Sequence, residues 1–88
     1  MRLPHMNQWE MLMITWVDSA AGEAGWHNPT KAEFEIDGCV TVGMAYAQSS
    51  DRIVLILSRA TLHDQIDGLI TIPTAAITSY ARLVPKKS

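Results

Sequence analysis

Eighty-eight residues, 48% of them hydrophobic and only 18% charged, exclude a disordered chain and leave room for one small domain. Seven Lys and Arg against nine Asp and Glu give a formal charge of −2, which argues against a protein held to nucleic acid by phosphate contacts. No apolar run reaches the roughly 18 residues of a membrane helix and no charged n-region leads an apolar one, so a cytoplasmic protein without a membrane anchor is expected.

Residues 1–8 show no hydrophobic period and include Pro4, so they are expected as a disordered leader before a single domain over residues 9–84. The stretch from Trp9 to Val17 is short for a helix, lacks an N-cap and ends in Ile14, Thr15, Trp16 and Val17, all strand formers. As a first strand it places Leu12, Ile14 and Trp16 on one face and Met11, Met13 and Val17 on the other. A long connection follows from Asp18 to Asp37, with turns marked by Gly22, Gly25 and Asn28-Pro29. Loops of this length in small domains are usually functional or disordered, and Trp26 argues against disorder. Its indole either closes over the core or stands out as an anchor for a ligand. Residues 31–36 read as a helical turn or an irregular strand.

The centre of the chain is an antiparallel hairpin. Cys39 to Ala47 and Arg52 to Leu57 are rich in β-branched residues, and Gln48, Ser49, Ser50 and Asp51 between them have turn composition. Cys39 reads as a buried structural thiol. Alternation places Val40, Val42 and Met44 inside on the second strand and Val54 and Ile56 inside on the third. Ile53, Leu55 and Leu57 are as apolar as their neighbours, so the third strand also needs a cover from the long loop, the N-terminal segment or another subunit. Gly43 in mid-strand marks a bulge or tight bend. After a polar interlude over 61–67, Gly68 to Pro73 reads as a fourth strand with Ile70 and Ile72 inside. Residues 74–76 have room for one 3-10 turn before a fifth strand over 77–84, with Ile77 and Leu83 inside, and 85–88 form a disordered tail. The layout is all-β, a five-stranded SH3-like small β-barrel with a long loop after the first strand.

Chemistry-bearing residues are sparse. His5, His27, His63 and Asp64 do not form a His-x-His or His-Glu-x-x-His pattern, and no Cys-x-x-Cys is present, so no metal site is expected. Ser19, Ser49, Ser50 and Ser58 lack the Gly-x-Ser-x-Gly elbow of a nucleophile, and Gly22 and Gly25 are followed by Trp26-His27-Asn28-Pro29 rather than a phosphate-binding helix. Neither an enzyme nor a cofactor is expected. The candidate partner-binding residues are aromatic and cationic: Trp16, Trp26 and Tyr46, gathered at one end of the barrel, with His27, Arg52 and Arg59 around them.

Trp16-Val17-Asp18-Ser19, Trp26, the run from Gly38 to Gly43, the block from Asp51 to Leu55, the run from Gly68 to Ile77 and Arg82-Leu83 carry a resemblance over residues 12–84. In these the chain resembles a group of short phage and prophage proteins that form SH3-like or Sm-like small barrels. The resemblance implies the fold and a phage origin, and brings no catalytic residues. The function expected is a non-enzymatic interaction module for a host or phage protein, self-associating through the apolar face of the third strand. An alternative of another class is a pocket for a small anion such as a nucleotide signal, in which Arg52, Arg59 or Arg82 converges with Trp26. A third is single-stranded RNA binding by an Sm-like ring, which the acidic balance disfavours.

Overall fold

The computed structural model describes residues 1–18 and 37–86, and its frame is a long ladder between the first two strands. Met11–Asp18 (β1) and Asp37–Gln48 (β2) pair antiparallel from Met11↔Met44 to Asp18↔Asp37. Arg52–Ile56 (β3) follows β2, then come Ser58–Ala60 (β4), Gln65–Asp67 (β5), Ile70–Pro73 (β6), a 3-10 turn over Thr74–Ala76, and Ile77–Arg82 (β7). Five strands form one antiparallel sheet in the order β6-β3-β2-β1-β7, and β4 and β5 form a separate hairpin. The all-β class, the five-stranded sheet and the 3-10 turn before the last strand are as expected. The hairpin occupies the stretch read as a polar interlude, because three-residue strands whose outward side chains are polar carry no apolar alternation. Gly68 closes it with φ of 76°, at a place where a Cβ would lie 2.6 Å from that of Leu57.

Of the two faces that alternation defines on β1, the one carrying Leu12, Ile14 and Trp16 turns inward. Leu12 and Ile14 are fully buried, Trp16 packs against the core, and Met11 and Met13 are exposed. The inward phase of β2 is the reverse of the expected one. Directly opposed residues of antiparallel strands share a face, and the register is Leu12↔Gly43, Ile14↔Thr41 and Trp16↔Cys39. The core side of β2 therefore carries small or polar residues beneath the large side chains of β1. The Trp16 indole Nε1 donates to Thr41 Oγ1 at 2.9 Å, and Cys39 is half-buried rather than buried. Val40 and Val42 are 63% and 53% exposed, and Met44 is half-buried on their side.

The same correction applies to β3. Its register with β2 shifts between Ala45 and Ala47, so that Ala45 opposes Leu55 and Ala47 opposes Val54, with Tyr46 as the extra residue of a β-bulge. Ile53 and Leu55 are fully buried in the core cluster and Val54 is half-buried. Ile56 is buried as expected, but it opposes Met44 on the other face of the sheet and stands outside that cluster. Ile72, opposite Ile53, and Ile77 complete the core, with Ile70 and Tyr80 packed against it. Leu83 is half-buried just past β7, outside the cluster.

Residues 1–8, expected as a leader, run along the sheet. Met6 is 4% exposed within the core cluster and Leu3 packs against it. Gln48 holds this segment at two points: its Oε1 accepts from Met6 N and its Nε2 donates to Pro4 O, both at 2.9 Å. Arg82 Nη2 donates to His5 O at 3.2 Å. The chain's own N-terminal segment thus supplies part of the apolar cover that β3 calls for.

Candidate functional site

The antiparallel register decides which aromatic residues meet. Trp16, near the end of β1, lies opposite Cys39 near the start of β2, whereas Tyr46 lies beyond the Met11↔Met44 pair at the other end of the ladder. Seven steps along β2, from Cys39 to Tyr46, separate the two positions, roughly 24 Å at a strand rise of 3.4 Å per residue. The expected gathering of Trp16 with Tyr46 therefore does not form, and Trp16 is committed to the core and to Thr41. Trp26 and His27 lie outside the described residues.

Tyr46 meets Trp9 instead. Their ring centroids are 6.0 Å apart with the planes tilted by 49°. Trp9 occupies a tight turn in which Glu10 N donates to Asn7 O, and its φ of 71° is left-handed. For a bulky side chain that conformation costs on the order of 1–2 kcal/mol. It is held by Trp9 N donating to Ala45 O at 2.7 Å and Ala45 N donating to Glu10 O at 2.8 Å. On the same ring sits Arg59 from β4, its Cζ 4.1 Å from the centroid. Arg59 also faces Asp64 at 3.6 Å across the hairpin turn. Trp9 and Asp64 are the two non-glycine residues with positive φ among those described, and both are partners of Arg59. The sequence reading missed Trp9 by placing it at the head of the first strand. The available signal was the antiparallel pairing itself, which carries the end of β2 past the start of β1.

Arg59 Nε is buried without a hydrogen-bond partner, so the guanidinium contributes mainly through the indole. A cation over an indole at a partly exposed site stabilises by about 0.5–1 kcal/mol, and the exposed pair with Asp64 adds little. Arg59→Met keeps the apolar stem and removes the orphaned nitrogen, so the variant is expected to lose less than about 1 kcal/mol. Urea titration measures this, and a shift in tryptophan emission accompanies it. A loss of several kcal/mol would show that the hairpin is tied down by more than this stack.

The other cationic candidates are dispersed. Arg52 is exposed beside Asp51, 3.9 Å away. The Ser49 hydroxyl donates to Asp51 Oδ1 at 2.5 Å and, with backbone hydrogen bonding and the Arg52 charge, holds that carboxyl below its ordinary range against a smaller opposing effect of desolvation. Arg82 pairs with Glu10 at 3.0 Å. Arg52, Arg59 and Arg82 thus each face a carboxylate of their own, and the three do not converge on one cavity among the described residues. His63 is exposed in the turn between β4 and β5. Among the described residues no group of three or more His, Cys, Asp or Glu is placed to hold a metal ion, and no helix is long and apolar enough to cross a membrane.

Two surfaces remain. Beside Tyr46 runs an open groove of about 470 Å³, walled by side chains from 2–8 and 45–50 and bounded by Thr74. On the outer face of the sheet, Met11↔Met44, Met13↔Val42 and Thr15↔Val40 stack into an uncharged apolar strip, with Met11 and Met13 39% and 37% exposed. No family model matches the chain, and neither the curated proteins nor the solved structures compared with it give a significant match.

Proposed function

We propose that the chain is a non-enzymatic protein-interaction module of the SH3-like small-barrel type, of the kind carried by phages and prophages, and that its first partner is a second copy of itself. The phage assignment rests on the sequence resemblance alone. The barrel reading is supported by the strand order and by the 3-10 turn, which joins the two edge strands β6 and β7 directly. Closing the sheet through that joint would hide edges that otherwise invite pairing. The interaction reading is carried by one observation, the exposed strip of Met11, Met13, Val40 and Val42.

A two-fold dimer sets a patch against itself, so any charge in it meets a like charge. This strip bears none, whereas a charged partner would find no counter-charge on it. Its methionines are unbranched and repack readily against a facing copy. Light scattering after size exclusion, over a range of concentrations, is expected to show a monomer–dimer equilibrium. Val42→Glu is expected to weaken it by about tenfold or more, since two carboxylates would face each other across a desolvated axis. Because Val42 is 53% exposed in the single chain, the variant should keep its fold. A strict monomer up to about 1 mM, a limit that corresponds to an association of only about 4 kcal/mol, would overturn the reading.

A further inference from the structure

We infer that the groove between the N-terminal segment and the end of β2 binds an extended peptide segment carrying a carboxylate beside an apolar side chain. This site lies apart from the β1–β2 strip and does not depend on self-association. Its charge is one-sided: Arg2 contributes to the lining and no carboxylate does. Arg2 has no ion-pair partner among the described residues, while the carboxylates on the flanking elements are engaged, Glu10 with Arg82 and Asp51 with Ser49. An acidic group entering the groove would therefore meet uncompensated positive charge.

The rest of the lining suits an apolar neighbour of that acid. Leu3, Met6 and Ala45 bring apolar atoms to the groove, and the bulge turns Tyr46 outward at 38% exposure. The groove is also preformed. Gln48 pins the N-terminal wall with its two hydrogen bonds, Gln8 Nε2 reaches Tyr46 O at 3.4 Å, and Thr74 Oγ1 donates to Ser50 O at 3.1 Å. A wall that is already ordered spares a ligand the cost of ordering it.

An extended peptide suits this lining better than a nucleotide does: Gln48 commits both ends of its amide to the N-terminal segment. Recognising a carboxylate needs only the Arg2 guanidinium, and an open trough between two stretches of backbone accommodates an extended chain.

The test is an NMR titration of the nitrogen-15-labelled protein with a short peptide of alternating Glu and Leu, beside the same peptide with Gln or Lys in place of Glu. The Glu peptide is expected to saturate, moving the amides of residues 2–8 and 45–50 and leaving the β1–β2 strip unmoved. The Gln peptide should bind about tenfold more weakly and the Lys peptide not at all, and Arg2→Glu should lower affinity for the Glu peptide by about tenfold or more. Arg2 is exposed, so that variant should stay folded, as an unchanged spectrum outside the groove would confirm. Any of four results overturns the proposal: no binding of the Glu peptide at about 1 mM, a threshold near 4 kcal/mol, equal binding of the Gln peptide, shifts centred elsewhere, or adenosine monophosphate displacing the peptide from these residues.

Discussion

Leu55→Ala is expected to lower the stability of the domain by about 2–5 kcal/mol, the range for emptying a fully buried leucine site. Leu55 has no exposed surface and sits on the middle of three adjacent strands, opposite Ala45 of β2 and Ile70 of β6. Ala45 is too small to swing into the space, and Ile70 is anchored by its own ladder. The cavity would therefore persist and add to the lost transfer free energy. A domain of this length has a total stability of roughly 4–13 kcal/mol at typical values per residue, so a large part of it is at stake. Urea denaturation followed by tryptophan fluorescence measures the loss. Leu62→Ala, at a site 85% exposed, is the control and should stay within about 0.5 kcal/mol of wild type. If Val54→Ala cost more than Leu55→Ala, the phase of β3 described above would be wrong.

Gly43→Ala is the second large effect, of about 1–3 kcal/mol. An added Cβ would stand 2.8 Å from Ile56 O and 3.2 Å from Leu55 Cβ. Neither obstacle can rotate away, one being backbone and the other a side chain's first atom, so β2 and β3 would have to part. Replacing a strand glycine ordinarily gains up to about 1 kcal/mol by restricting the unfolded chain. Here the close approach outweighs that gain. Gly38 in the same strand separates the two effects, because a Cβ there meets nothing within 4 Å. Gly38→Ala is expected to be neutral or stabilising, and its urea midpoint beside that of Gly43→Ala tests the steric argument. Equal midpoints would remove it.

The stack of Trp9, Tyr46 and Arg59 shows how a candidate site of this kind escapes a sequence reading. Trp9, Tyr46 and Arg59 are far apart in the chain, and nothing local to any of them names the other two. Tyr46 and Arg59 read locally as an aromatic and a cation near a loop, with Trp16 and Arg52 as their expected companions. Trp9 joins them because the antiparallel ladder runs the end of β2 beyond the start of β1, and Arg59 because a short polar hairpin brings it to the indole. Met6 was equally hidden, since one buried methionine in an aperiodic segment makes no pattern.

Local composition was sufficient for the five strands of the main sheet and the 3-10 turn ahead of the last strand. In β1 it separated Leu12, Ile14 and Trp16 from Met11 and Met13 without choosing the inner set, because methionine is as large as leucine. Composition was insufficient for β2 and β3, where both phases of the alternation are apolar and burial of either would satisfy the hydrophobic effect. There the choice passed to the pairing between strands: large residues of β1 require Thr41 and Gly43 beneath them, and one extra residue at Tyr46 sets the phase of everything that follows. A side chain's direction in a strand is local, but which direction is inside depends on the neighbouring strand.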